Sequence, residues 1–291
     1  MKKDRVSFLL TTPALILYTV LLIIPILIAF GLSFTDWNGL AVSSFNFVGF
    51  SNYIKMLGDA RLHNAILLTF KIALVVVITV NVLGLLIALA LNKSGRITTI
   101  LRSVFFTPYV MSIVAISFIW LSILSYTGVF NSILSVLGLD NLINDYIGNA
   151  KNAVVSICIV EIWRTLGFHM VIFLAALQTV PQDLYESCTV DGGNAFHRFF
   201  YVTLPNIVPQ ITISVLMGFI NELRIYDIIK VMTDGGPGYS TESISYSIVS
   251  QAFGNGKLGY SSAIAVFLFV IIGIISVASI YLSNKMGGES Q

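Results

Sequence analysis

Glu161, Arg164, Thr165 and Phe168 are spaced i, i+3, i+4 and i+7 within an apolar stretch, which places the four side chains on one helical face. A second stripe, Gly218, Asn221, Glu222 and Ile225, has similar spacing in a later apolar stretch. Ionisable groups among such neighbours are expensive in contact with lipid, so both faces are expected to line water or protein. Two chemistries fit the first stripe. It can offer a polar lining with an aromatic face to a solute, or Glu161 and Arg164 can simply pair with each other or with a partner chain. Glu161 and Glu222 would also serve as proton or cation sites in a carrier driven by an ion gradient.

The motifs of covalent and nucleotide chemistry are absent. The chain has no G-x-x-x-x-G-K-[ST] phosphate cradle, no nucleophile elbow and no H-E-x-x-H helix. It is not expected to be an enzyme or to hydrolyse ATP by itself. Cys158 and Cys188 form no C-x-x-C, and His63, His169 and His197 lie on three separate segments, so neither a disulfide framework nor a metal site is implied.

Lipid is the expected solvent for the elements that carry these residues. With 56% hydrophobic and only 10% charged residues among 291, the chain has too little polar surface for a water-soluble domain, which carries about 25% charged residues. A formal net charge of +2, from scattered basic residues, argues against nucleic acid as a partner. A hydrocarbon core about 30 Å thick takes roughly 20 helical residues. Six apolar stretches reach that length, from Phe8 to Phe34, Ile66 to Leu91, Ser103 to Leu124, Ala153 to Leu177, Ile207 to Ile229 and Ser262 to Leu282. The fold class is therefore all-α, a polytopic membrane protein with six transmembrane helices. With no repeat, low-complexity stretch or large soluble domain, residues 1–291 read as one membrane domain.

The fifth stretch is interrupted by Asn221, Glu222, Arg224 and Asp227, a polarity that calls for a functional reason. Basic residues set the orientation: Lys2, Lys3, Arg5, Lys93, Arg96, Arg102, Arg198 and Lys285 fall on one side. The longer opposite loops hold only Lys55, Arg61, Lys151, Lys230 and Lys257, with Lys71 near a span end. Both termini are expected in the cytoplasm, and so is the connector at residues 178–206. The first apolar run is too long for a signal peptide's core and reads as an uncleaved helix.

Within that connector, Tyr185 to Pro205 reads Y-E-S-C-T-V-D-G-G-N-A-F-H-R-F-F-Y-V-T-L-P. Pro181 can open a helix, Asp183 and Glu186 put negative charge near its start, and Gly192-Gly193 can end it with a turn of positive φ. Small residues at Ser187, Cys188 and Gly192 would let a partner approach the backbone, with Glu186 reaching a basic group on it. The plainer alternative is a connector that only caps two membrane helices.

The segment resembles the EAA loop of ABC-importer permeases, roughly E-A-A-x-x-D-G-A followed by a spacer and L-P. Glu186 stands for the E, Ser187 and Cys188 for the alanines, Asp191-Gly192 for D-G, Gly193 for the last small residue and Leu204-Pro205 for the closing pair. Further stretches are similar to the carbohydrate-uptake group, of the maltose, multiple-sugar and glycerol-3-phosphate type. These are Pro13 to Trp37, ending S-F-T-D-W, then F-V-G-F-S-N-Y (Phe47 to Tyr53) and T-D-G-G-P-G-Y-S-T (Thr233 to Thr241). The first two stretches resemble the first of the two permeases in such importers, the maltose MalF-like partner.

The resemblance implies the type I ABC-importer permease fold and a larger machine. Its parts would be a second homologous permease, an ABC ATPase dimer that binds ATP and Mg, and an extracytoplasmic sugar-binding protein. This chain would bind no cofactor. Glu186, Ser187, Cys188, Asp191, Gly192 and Gly193 would couple it to the ATPase; Glu161, Arg164, Thr165, Phe168, Gly218, Asn221 and Glu222 would line the sugar pathway. The stretches from Asp36 to His63, Ser125 to Asn152 and Lys230 to Tyr260 would face the binding protein or serve only as connectors. The alternatives are an ion-gradient-driven secondary transporter and an ABC permease for a non-sugar solute.

Overall fold

The computed structural model describes residues 11–40 and 46–287. Lys2, Lys3, Arg5 and the start of the first expected span, from Phe8, lie outside the described residues, as does the side chain of Lys285. The described chain is helical, and six of its helices are long and apolar enough to cross a membrane. Its contacts divide it into two compact units, Met1–His63 with Ser247–Ile271, and Asn64–Tyr246 with Ile272–Gln291.

In the first unit, helix α1 (Thr11–Leu32) has none of its most apolar window buried, the pattern of a helix solvated by lipid or by a partner. Its π-helical stretch, Thr19–Ile23, ends just before Pro25, which has no N–H to donate. A short helix α2 (Ser51–Gly58) is tied back to α1. Asn52 Nδ2 donates to the carbonyls of Ser33 and Thr35 at 2.9 and 2.8 Å, and the Tyr53 hydroxyl donates to Ser33 Oγ at 2.8 Å. Asp59, just ahead of helix α3 (Ala60–Leu91), accepts from the Leu62 amide at 3.1 Å and from the Tyr260 hydroxyl at 2.7 Å. Burial pulls the Asp59 carboxyl upward, but these two hydrogen bonds and smaller contributions from Arg61 outweigh it and leave the carboxyl below its ordinary value.

The second unit is built from most of α3 together with α4 (Arg96–Val110), α5 (Ile113–Leu124), α6 (Val129–Val136), α7 (Ala150–Thr179), α8 (Gln182–Val190), α9 (Ala195–Leu223) and α10 (Asp227–Met232), and it ends within α11 (Ile244–Val249) at Tyr246 before resuming at Ile272. The last long helix is α12 (Leu258–Gly287). Two apolar clusters hold this unit. One joins Ile72, Val76, Ile116, Ile157, Val160 and Ile228; the other joins Ala88, Met170, Phe173, Leu177, Val202 and Ile207. Helix α7 runs through both clusters, and at Gly167 a Cβ would strike the Phe105 carbonyl of α4. Only glycine permits that helix approach.

Two expected spans break where continuous helices were anticipated. Ser103 to Leu124 is divided at Met111 and Ser112, whose ψ angles of 154° and 124° are extended, three residues after Pro108. The apolar helical stretch that follows is Ile113–Val136. Ile207 to Ile229 was expected to be one helix. Instead α9 starts at Ala195 and ends at Leu223, and the chain unwinds over Arg224 to Tyr226 before α10 begins. Irregular backbone at membrane depth is tolerated where it lines a cavity or is buried in protein. Both breaks meet that condition.

Candidate functional site

A cavity of about 400 Å³ opens at the two breaks, within the size range of small-molecule pockets. Helix α7 contributes Glu161 and Arg164, and the last turn of α9 contributes Asn221 and Glu222. The unwound residues contribute Arg224, Ile225 and Tyr226, and α10 contributes Asp227. The α4–α5 break supplies Tyr109, Met111 and Ile113. Four of the seven residues expected in the pathway are thus brought together.

Within the cavity wall the two glutamates differ. Arg164 grips one oxygen of Glu161 twice, Nε donating to Oε2 at 2.9 Å and Nη2 lying 2.7 Å from the same atom. Glu161 is 1% exposed, so a charge partner is a condition of its burial. Glu222 is 3% exposed, and its buried Oε2 has no hydrogen-bond partner. A buried acceptor left in that state is costly, and such groups call for an explanation.

The other three expected pathway residues are placed elsewhere. The Thr165 hydroxyl donates to the Glu161 carbonyl at 2.7 Å, turned back onto its own helix. Phe168 stacks on Tyr109 with ring centroids 4.6 Å apart and planes 17° apart, supporting the wall from behind. Gly218 is buried against Val77 and His169, where a Cβ would stand 3.0 Å from Val77 Cγ2. Ile225, assigned to the second stripe as if helical, lies beyond the end of α9. Arg224 and Asp227 had shown in the sequence as interruptions of the fifth span; Tyr109 and the buried His169 Nδ1–Ser214 Oγ contact of 2.7 Å gave no such signal. Among the described residues no group of three or more His, Cys, Asp or Glu side chains could hold a metal ion.

At their other ends α7 and α9 are joined by α8. Pro181 stands at its N-cap and Asp183 in its first turn, while Glu186 falls one turn later than its charge suggested. The helix ends in a Schellman closure: the Gly193 amide donates to the Cys188 carbonyl at 2.8 Å, and the Gly192 amide to Thr189 at 3.1 Å. Gly192 has φ +82°, the left-handed conformation this closure needs, and Asn194 then caps α9 by accepting from the His197 amide at 3.0 Å. Tyr185 contacts Thr203 Oγ1 at 3.0 Å through its hydroxyl, pinning α8 to α9. Glu186, Ser187, Asp191 and Gly192 remain exposed, with Cys188 and Gly193 half-buried. Glu186 lines an open groove of about 510 Å³ with Gln182, Tyr185, Thr189, Val190 and Arg198.

Six apolar helices, a polar cavity at two helix breaks and an exposed helix bridging the far ends of α7 and α9 define a multi-pass transport protein. Residues 80–286 match the family of binding-protein-dependent transport system inner membrane components, and the chain belongs to it. It is a permease subunit of an ABC importer, a transport subunit and not an enzyme. Among its relatives is the multiple sugar-binding transport system permease protein MsmF of Streptococcus mutans, 35% identical over 87% of this chain and 86% of the relative. The trehalose/maltose transport system permease protein MalF of Thermococcus litoralis is 32% identical, with 97% and 94% covered. In fold the chain is similar to a bacterial ABC transporter involved in the import of the acidic polysaccharide alginate. That likeness has a TM-score of 0.84 at 23% identity, covering 98% of this chain and 96% of that one.

Proposed function

We propose that this chain forms, with a second homologous permease, the membrane pathway for a sugar or oligosaccharide delivered by an extracytoplasmic binding protein. In this reading residues 1–291 act as one permease domain with both termini in the cytoplasm, and residues 178–206 receive force from an ATPase dimer that binds ATP and Mg. The sugar assignment is supported by relatives whose names specify multiple sugars and trehalose/maltose. The names of other relatives specify starch degradation products and diacetylchitobiose.

The observation that carries the mechanism is that α7 holds cavity residues near its middle and α9 at its C-terminal end, and that both flank α8 at the side away from the cavity. From Glu161 to Thr179, at about 1.5 Å per residue, α7 is a lever of roughly 27 Å. Displacement of α8 is therefore delivered to the cavity by two helices that pack together, and a bistable arrangement of the breaks would open it to one side or the other. Glu186 in its groove would meet a basic group of the ATPase, while the exposed turn at Asp191 and Gly192 allows close approach.

The test is uptake into proteoliposomes holding both permeases, the ATPase and the binding protein, offered a panel of saccharides and amino acids. Saccharide uptake that requires ATP is the expected result. Amino-acid uptake in its place refutes the sugar reading, and uptake by this chain alone on an imposed ion gradient refutes the coupling.

A further inference from the structure

We propose that the first unit binds an anionic phospholipid, whose headgroup phosphate is held between Lys55 and Lys257 in a cavity where α1 ends and α12 begins. The cavity has a volume of about 390 Å³, belongs entirely to this unit and shares no residue with the cavity at the helix breaks. Its depth follows from the two helices that meet there. Asp36 and Trp37 lie four and five residues beyond the apolar stretch Thr11–Leu32; Lys257 directly precedes the apolar stretch Leu258–Tyr281, and Tyr260 stands in the first turn of that stretch. The Gly259 amide donates to the Trp37 carbonyl at 2.9 Å, and a Cβ on Gly259 would strike the Thr35 carbonyl, so one span leaves the membrane where the other enters. That boundary is the level of lipid headgroups, where Trp and Tyr rings are favoured and a lysine stem lies along apolar surface with its charge in water.

The unmet hydrogen-bonding capacity in the cavity wall is for an anion. Every carboxylate oxygen there already accepts a hydrogen bond. Asp36 takes the Asn46 amide at 2.6 Å and Asn46 Nδ2 at 3.1 Å, while Asp59 takes the Leu62 amide and the Tyr260 hydroxyl. Asp36 is held below its ordinary value chiefly by Asn46, with the charge of Lys55 a smaller influence. The ammonium groups of Lys55 and Lys257 are donors only; both residues are exposed and make no hydrogen bond or ion pair among the described residues. The wall around them is held in shape, because the buried Asn52, one turn before Lys55, donates to the Ser33 and Thr35 carbonyls. On the membrane side of the cavity, α1 has none of its most apolar window buried, which gives an acyl chain a surface to follow. A carboxylate on a docking protein would meet the same lysines but would leave that uncovered helix without a role, whereas a lipid uses both.

The experiment uses the purified importer complex, delipidated in detergent and titrated with phosphatidylglycerol or phosphatidylcholine, with bound lipid counted by native mass spectrometry. Wild type is compared with Lys55→Gln/Lys257→Gln and with Lys55→Arg/Lys257→Arg, which keeps both charges. A lysine at the membrane surface strengthens binding of anionic lipid by about five-fold. The expected result is therefore one phosphatidylglycerol held roughly 30-fold more weakly by the glutamine variant and retained by the arginine variant, with no difference among the three for phosphatidylcholine. If the glutamine pair does not assemble, either single glutamine variant runs the same titration with an expected loss of about five-fold. Equal retention of phosphatidylglycerol by wild type and the glutamine variant overturns the proposal, and so does a loss in the arginine variant as large as in the glutamine one. Displacement of the lipid by inorganic phosphate at equal concentration overturns it in favour of a free anion. Unchanged lipid retention in the glutamine variant, with weakened docking of the binding protein to vesicles of phosphatidylcholine that hold the complex, overturns it in favour of a protein carboxylate.

Discussion

Replacing Gly192 with valine isolates the contribution of backbone geometry to coupling. A Cβ at this position would meet nothing within 4 Å, so the substitution breaks no packing contact. What it changes is the cost of φ +82°, which a non-glycine residue holds at about 1–2 kcal/mol, with a β-branched side chain at the upper end. That cost falls on the turn that sets the angle between α8 and α9, and it lowers the population of the native turn by roughly 5- to 30-fold relative to alternatives. The expected outcome is a complex that still assembles and still inserts, while ATPase stimulation by substrate-loaded binding protein falls by several-fold or more. Gly192→Asn supplies the control, because asparagine visits the left-handed region readily and should retain most of the stimulation. Both quantities are read from one preparation, stimulated over basal hydrolysis and co-purification of the ATPase. Equal activity of the valine and asparagine variants would refute the turn as the transmitting element, as would equal loss in both with the complex intact.

Gly193→Ala should be harsher than Gly192→Ala, because its Cβ would stand 2.5 Å from Cys188 Sγ and 2.7 Å from the carbonyl that the Gly193 amide needs; comparing ATPase retention in the two variants checks this. Arg164→Met leaves Glu161 buried and uncompensated, at a cost of about 3–5 kcal/mol, so the purified complex should lose thermal stability, and Glu161→Gln/Arg164→Met should recover most of it. Gly167→Ala should destabilise the α4–α7 contact by about 3 kcal/mol, the upper end for overpacking, and lower the yield of folded protein in the membrane fraction. Because the folded value of Asp59 is depressed, its hydrogen bonds contribute fully above its unfolded value of about 3.9 and are lost as pH falls through the lower folded value. Thermal unfolding of wild type and Asp59→Asn should therefore differ by a constant amount from pH 5 to 8 and converge only below about pH 4.

Spans and helix α8 were legible because each rests on a local signal. Twenty apolar residues can be counted, and proline, first-turn acid and paired glycines mark the ends of α8 in the chain itself. The stripe from Glu161 to Phe168 was legible only as a helical face. Which side chains point into a cavity depends on what stands opposite, and Tyr109 captures Phe168 from a different helix while Thr165 turns to its own backbone. The break after Leu223 was visible as charge and misread as a polar face, since a window long enough to find a span averages over three unwound residues. Gly218 was expected in the pathway stripe and is packed against Val77 and His169, because a glycine in a membrane helix serves either purpose and only the neighbour decides.

The charges that make the fifth span hard to recognise are the ones that make it useful. A continuous helix from Ile207 to Ile229 would satisfy its own backbone and present Glu222, Arg224 and Asp227 on different faces, some of them towards lipid, at about 2.5–3.5 kcal/mol each. Ending the helix at Leu223 and starting another at Asp227 turns all three towards one cavity, and Asp227 gains the favourable first turn of α10. The α4–α5 break brings Tyr109 and Met111 to the same cavity. In the proposed function, a pathway lined at two breaks would change shape by bending where no intrahelical hydrogen bonds need be lost, while α7, unbroken from Ala150 to Thr179, would carry the motion of α8 to it. Rigid and interrupted helices would thus divide the work, and the polarity that weakens the membrane signal marks where the helices break.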